Sequence, residues 1–464
     1  MNIIPLLAGF LRYCDEEWNI AQVPENFLHR RWAMRHISHK LYFLILGAVL
    51  ILAALIRFWA APLSAGPDVA QFWAFAKVFQ LYGLDFYRYA DGTLDIFPFK
   101  GWAFVYPPVW LLSLRLSLLA APASWAASMM VDTSWRLAMK VPIIAADLAI
   151  GSLIFWAVPG SKFRKLVFAS LWLFHPTAWY ESGVFGQFDA IAAAFLLASV
   201  VMFERKRDRL AFLLAGLALM TKQHTFLPIA LMVAISAQHI SKRRLLSNCS
   251  ILLAIVVFIS IPFLLTGNFR SYAHSLFLPG QSPGYQYPLC YAFSGSGALL
   301  TYLHNVFGWE TSGFLQLNIP ILAVATLVAI VLSRIKSITP IQGALAGFLI
   351  FVGLSYQVNY QYLVVYIPVA ILAASKCTYR RERVITMALA LFPALWLWLF
   401  NISFWFNYFS PANPWVMPIL ARIGLVSYMP DYIYVSFALI LMSLSLAYVV
   451  FTLLFRTQRF IVLD

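Results

Sequence analysis

The feature that most limits this chain is a succession of long apolar runs, from residues 41–62 to residues 431–455, separated by short basic clusters. A helix needs about 20 mainly apolar residues to cross the hydrocarbon core of a bilayer. Runs of that length, repeated along one chain, predict an all-α polytopic membrane protein with about twelve transmembrane helices and a long first outer loop carrying interfacial helices. Composition agrees: charged residues make up 11% of the 464, where a soluble domain carries roughly 25%.

The net charge is +15. On a soluble protein that would suggest nucleic acid. Here the basic residues sit in short loops between apolar runs, as topology and anionic headgroups require, so no nucleic-acid partner is expected. The strongest cluster is Glu204-Arg205-Lys206-Arg207-Asp208-Arg209, and Lys242-Arg243-Arg244 is similar. Placing both inside requires the apolar stretch 210–238, split by Lys222-Gln223-His224, to be a hairpin of two short spans with Lys222 near the outer turn. Spans so short and polar are tolerated only where they line a protein cavity. Both termini then lie inside, and no cleavable signal is apparent in the basic leader. The four cysteines (Cys14, Cys249, Cys290, Cys377) fit no metal motif.

Several residues stand out chemically. Asp68 follows the first span behind Gly66-Pro67, at the start of a helical-looking stretch 69–82. A carboxylate at a helix N-terminus is kept ionised. It reads either as a helix cap or as a general base that removes a proton from a hydroxyl. Lys222 either snorkels or pairs with an anion, and Arg57, His224, Arg270 and His274 raise the same question. Several cations around one outer cavity would suit a phosphate. Asp147 is an acid within the second span, open to a functional reading or to a structural hydrogen bond between helices. Asp189 and Glu181 could join Asp68 around a hard cation, but no tight acidic motif is present. No cofactor is required, and a divalent metal is not expected.

An ordered set of short motifs resembles the GT-C superfamily of polyprenyl-phosphate-sugar-dependent glycosyltransferases. It is similar in particular to the dolichyl-phosphate-glucose glucosyltransferases and the GPI mannosyltransferases. The motifs are Asp68-Val69-Ala70-Gln71-Phe72-Trp73, Tyr106-Pro107-Pro108, Ala146-Asp147-Leu148, Gly186-Gln187-Phe188-Asp189-Ala190, Leu219-Met220-Thr221-Lys222-Gln223 and Gln361-Tyr362-Leu363. Together they cover roughly residues 41–375. Two departures stand in the sequence: Asn359-Tyr360-Gln361 replaces the His-Glu-Lys-like string of the glucosyltransferases, and Asp68 is a single acid where others carry an Asp-x-Asp pair.

The resemblance implies that Asp68 is the catalytic base of an inverting transfer of a hexose, mannose or glucose. The donor would be a polyprenyl-phosphate sugar delivered within membrane lipid, and the acceptor a lipid-linked molecule or glycan. It implies a donor-phosphate set of Lys222, Arg270 and His274, and substrate contacts from Gln71, Tyr106, Gln187, Asp189, Gln223, His224 and Gln361. The chain then divides into a cytoplasmic leader (1–40), a GT-C-like catalytic module (41–266, including outer loop 63–135), an outer loop (267–315) and a C-terminal transmembrane module (316–464). The expected location is a bacterial inner membrane with a periplasmic site, or the lumenal side of the ER membrane in a eukaryote. Two alternatives stay open: a polyprenyl-linked polysaccharide polymerase or ligase, and a secondary transporter or lipid flippase. A transporter would place paired interrupted helices at the bilayer midplane, and no such internal pairing is visible.

Overall fold

The structure is a computed structural model that describes residues 39–64, 66–121, 132–266, 269–277, 294–335, 338–377, 379–400 and 430–455. Most of the leader, Cys14, Cys290, Pro411, Pro414 and Trp415 lie outside the described residues. The chain divides into two compact units, Met1–Val49 and Leu50–Asp464. The described part of the first is the opening of one apolar helix; the second carries the rest of that helix and all the others.

Regular structure among the described residues is helical. In order it comprises α1 (His39–Ala60), α2 (Pro67–Tyr82), α3 (Phe86–Tyr89), α4 (Pro108–Ala120), α5 (Thr133–Ala157), α6 (Lys162–Leu173) and α7 (Pro176–Trp179). A π turn, Tyr180–Phe185, leads to α8 (Asp189–Glu204) and α9 (Asp208–Leu219). Beyond the short turn Gln223–Thr225 come α10 (Phe226–His239), α11 (Lys242–Leu265), α12 (Phe269–Phe277), α13 (Ser296–Phe307) and α14 (Ser312–Ile335). The chain continues through α15 (Pro340–Leu354), the turn Tyr360–Tyr362, α16 (Leu363–Lys376), α17 (Arg380–Phe400) and α18 (Asp431–Val450).

Local chemistry sets many of these boundaries. Proline opens α2, α4, α7 and α15, where its missing N–H costs nothing. Ser161 and Ser241 cap α6 and α11 by accepting from the backbone N–H of Arg164 and Arg244.

Among the described residues, five segments are long and apolar enough to cross a membrane: Leu41–Leu63, Thr133–Ala157, Lys242–Leu265, Gln316–Ile335 and Asp431–Leu454. Their flanks carry exposed Leu55, Phe258 and Leu327, each more than 60% accessible. Apolar area of that kind needs lipid rather than water, and the chain is an integral membrane protein. The innermost helices are different. α8, α15 and α16 are only 14–16 residues long; α15 and α16 bury nearly every side chain among their neighbours and α8 buries most of its own. A helix that is apolar all round belongs inside a bundle.

Polar contacts define two ends. At one, Lys376 pairs with Glu204 at 2.6 Å and Arg244 with Asp208 at 2.7 Å. There Arg205 also donates to the Trp156 carbonyl at 3.2 Å and stacks on that indole. At the other end, Gln223 donates to the Val105 carbonyl at 2.5 Å, Val109 N–H to Met220 at 3.2 Å and Gly66 N–H to Phe185 at 2.8 Å. Because Asp208 and Arg244 meet, the chain between them leaves the basic end and returns, so α9 and α10 form the hairpin that the charge pattern required. α9 has 12 residues, about 18 Å of helix against a hydrocarbon core of about 30 Å. Its far end, with Lys222, therefore stops within the thickness of the helical layer.

The stretch 63–135 is more helical than the word loop conveys. α2 matches the expected helix 69–82, beginning two residues earlier at Pro67. The run 103–121 becomes α4, which buries Trp110, Leu111, Leu114 and Leu118 while exposing Leu112, Leu116 and Leu119. A short helix with a second, exposed apolar face suits the membrane interface. The stretch 267–315 likewise contains α12 and α13.

The two ends should lie on opposite sides of the membrane. In a background without native cysteines, Thr93→Cys and Arg207→Cys are expected to react with an impermeant maleimide from opposite sides of sealed vesicles. Labelling of both from one side contradicts this topology.

Candidate active site

Four breaks in the helical pattern converge at the end opposite the basic clusters: residues 61–64 with Gly66, 180–188, 220–225 and 355–362. Lys140 of α5 holds the first two together. Its buried ammonium donates to the carbonyl oxygens of Ala61 (3.1 Å), Gly183 (3.0 Å), Val184 (2.8 Å) and Ser64. Backbone carbonyls freed by breaking helices thus find a cation instead of water. Gly186 follows at φ +84°, and a Cβ there would sit 2.9 Å from Val69 and 3.1 Å from Lys140. Glycine is required at this position for both reasons.

A second buried cation stands nearby. Arg57 pairs with Asp147 at 2.8 Å and both side chains are fully inaccessible. Arg57 also donates to the Leu173 carbonyl at 2.9 Å, and Ser182 donates to Asp147 at 2.6 Å. Asp147 is therefore the structural hydrogen-bonding acid between helices, and Arg57 is occupied within the protein.

Asp68 occupies the second position of α2. Gly66 is the N-cap and no side chain caps this helix, so the capping role does not apply. Its Oδ2 instead accepts a hydrogen bond from Gln187 Nε2. The helix terminus does not decide its ionisation: burial raises the carboxyl to about 6, against the lowering effects of Lys222 and the Gln187 hydrogen bond. That corrects the expectation of a carboxylate simply held ionised by the helix end.

Lys222 forms an ion pair with Asp189, both nearly inaccessible. The ammonium lies 4.5 Å from the Phe188 ring centroid, 4.8 Å from Tyr362 and 5.4 Å from Tyr106. Three rings around a desolvated cation add cation–π attraction. Lys222 thus pairs with an anion rather than snorkelling, and that anion is the protein's own. His224 Nε2 stands 3.9 Å from the other Asp189 oxygen, its ring stacked on Phe351.

Glu181 lies in the π turn, 1% exposed, and among the described residues neither of its carboxylate oxygens has a hydrogen-bond partner. Burial and the neighbouring Asp189 carboxylate push it well above the usual carboxyl range. The Oε1 of Gln187, Oδ1 of Asp189 and hydroxyl of Tyr360 are also buried without partners there. Among the described residues, no three His, Cys, Asp or Glu side chains are placed to hold a metal ion.

The structure therefore brings together Asp68, Gln187, Asp189, Lys222, His224 and the Tyr106 ring. Gln223 braces this group through Val105. Gln361 is buried in the adjoining turn Tyr360–Tyr362. Gln71 faces elsewhere: its amide donates to the carbonyls of Phe99 and Trp102 and accepts from Phe99 N–H, bracing the first loop. Arg270 and His274 lie on α12, which packs through Tyr272 against Tyr87 and Phe263. Among the described residues, no hydrogen bond or ion pair joins either to the Asp68 group. Sequence reasoning passed over Lys140, whose only signal was a lysine inside an apolar run.

No family model matches the chain, and no curated protein matches it. Among solved structures, the crystal structure of ArnT from Cupriavidus metallidurans bound to undecaprenyl phosphate aligns with a TM-score of 0.44 and 12% identity, over 90% of this chain and 77% of that one. A likeness of that degree identifies neither a family nor a function.

Lys222→Met would leave Asp189 buried and uncompensated. The variant is expected to lose about 3–5 kcal/mol of stability, and Lys222→Met/Asp189→Leu to recover most of it. Unfolding of the purified protein in detergent checks this; a single variant as stable as the parent contradicts the buried pair.

Proposed function

We propose that this protein is a membrane glycosyltransferase that moves a hexose, mannose or glucose, from a polyprenyl-phosphate carrier to a hydroxyl of a lipid-linked or glycan acceptor, with inversion. The observation that supports it best is one half-buried carboxyl, Asp68, held by Gln187 within the electrostatic reach of a caged lysine, Lys222, on broken helices inside a lipid-facing bundle. With the basic clusters on the cytoplasmic side, this group faces the other side of the membrane, the periplasm if the protein is bacterial.

Asp68 is the base. A carboxyl raised to about 6 is ionised at neutral pH yet basic enough to take a proton as the attacking oxygen loses it. The acceptor O–H bond breaks toward Asp68, the oxygen bonds to the anomeric carbon from the face opposite the leaving group, and the C–O bond to phosphate breaks with its electron pair. The departing phosphate carries the new negative charge. Lys222 is the group to receive it, turning from Asp189 within its aromatic cage, and it stabilises charge that is greatest after bond cleavage. The Oε1 of Gln187 and the carboxyl of Glu181, which have no hydrogen-bond partner among the described residues, are suited to accept hydrogen bonds from sugar hydroxyls.

Asp68→Asn should insert normally and lose transfer of radiolabelled sugar from defined polyprenyl-phosphate donors by at least about 100-fold; retained turnover removes the base assignment. For the parent, kcat/KM is expected to fall as pH drops through about 6, as Asp68 is protonated. Gln187→Leu removes a hydrogen bond that favours the charged form, so its acid limb should move to higher pH. An unshifted limb would separate Gln187 from the titrating group.

A further inference from the structure

The basic end contains a cleft of about 740 Å³ between the starts of α9 and α11. Lys206, Arg207, Arg209, Arg243 and Arg244 line it, five cations against the single carboxylate of Asp208. Asp208 is taken up by Arg244 at 2.7 Å, and the other four cations make no ion pair among the described residues. Topology explains why basic residues gather on this side. It does not explain three features of the cleft itself.

First, Asn248 lines the cleft, is fully buried, and among the described residues neither its amide nitrogen nor its amide oxygen has a hydrogen-bond partner. A buried carboxamide left unsatisfied is destabilising unless a ligand meets it. Second, Lys206 is the one non-glycine residue at positive φ among those described, at 60°. It holds the left-handed position that closes α8, with Lys206 N–H bonded to the Phe203 carbonyl and Arg207 N–H to that of Met202; the turn this makes between α8 and α9 sets Lys206 on the cleft wall. Third, two helix N-termini, of 12 and 24 residues, open onto one cleft. Their partial positive charge adds to that of the arginines, an arrangement that is unfavourable until an anion occupies it.

From this geometry we infer that the cleft is a phosphate-binding site, remote from the Asp68 group, that takes a phosphate ester such as the headgroup of an anionic phospholipid. Arginine forks and the Asn248 amide would donate to the phosphate oxygens. Leu210, 40% exposed on the same wall, offers an apolar surface beside it. The site requires nothing of the transferase reading.

The test uses the full chain purified in detergent and freed of lipid, with thermal midpoint and native mass spectrometry as readouts. It is titrated separately with dioleoyl phosphatidylglycerol, dioleoyl phosphatidylcholine and inorganic phosphate. A ligand bound only by the folded state raises the midpoint. Phosphatidylglycerol is expected to raise it and to remain bound in the gas phase, phosphatidylcholine to do neither. In Arg209→Gln/Arg243→Gln and, separately, in Asn248→Ala, the half-saturating concentration should rise about tenfold. Protection by inorganic phosphate at a concentration equal to the lipid's assigns the site to free phosphate; protection by lipid alone assigns it to a headgroup. Failure of both anions to protect, or equal protection of parent and variants, overturns the site.

Discussion

Burial of the Lys222 ammonium against Asp189 is the constraint around which the upper part of this protein is arranged. Removing two charges from water costs several kcal/mol per ion, and close pairing repays it only when geometry is good and the remaining polar atoms are served. Here the pair is enclosed by Phe188, Tyr106 and Tyr362, each carried by a different segment. To supply a lysine from one hairpin, an aspartate from a helix start and rings from two further turns, the chain must interrupt its helices at several points at the same depth. Lys140 then meets the carbonyls that those interruptions release, and Arg57 with Asp147 secures α1 to α5 below them. These three buried cations thus perform three separate tasks in a chain in which charged residues are scarce.

The same arrangement separates the two ends by chemistry. At the basic end, cations outnumber acids, most are exposed, and α9 and α11 begin among arginines. At the Asp68 end, half-buried Asp68 and fully buried Glu181 and Asp189 face one lysine, and several of the oxygens of Glu181 and Asp189 have no partner among the described residues. Excess acid inside and excess base outside are opposite solutions to being charged in a membrane protein. The first creates unsatisfied acceptors and a raised carboxyl suited to proton transfer. The second creates an open positive surface suited to phosphate.

Much of the helical frame was legible in the sequence because it depends on local signals. The hairpin through Lys222 followed from two basic clusters that had to share a side, and the Asp208–Arg244 pair places them together. The start of α2 near Gly66-Pro67 followed from proline geometry. The candidate site was legible only in part. Asp68, Gln187, Asp189 and Lys222 all stand out in the sequence, but Asp189, expected to meet substrate, instead holds Lys222. Such pairings lie 33 to 119 residues apart along the chain and have no local signature. Asp147 and Arg57, 90 residues apart, could not be joined by any periodicity. Gln71 looked like a polar residue awaiting a ligand because the loop backbone that occupies it comes 28 to 31 residues later. Lys140 was hidden because nothing in an apolar run distinguishes a lysine bound by carbonyls from one at a lipid surface.

The central claim is that the caged lysine and the carboxyl beside it receive a lipid-borne phosphate sugar. Photocrosslinking with a polyprenyl phosphate bearing a diazirine on its first isoprene unit tests this most directly, with labelled peptides mapped by mass spectrometry. Adducts are expected on the segments around Tyr106, Gln187 and Lys222, suppressed by excess unlabelled polyprenyl phosphate. Competable adducts confined to the basic end, with none on those three segments, would contradict it.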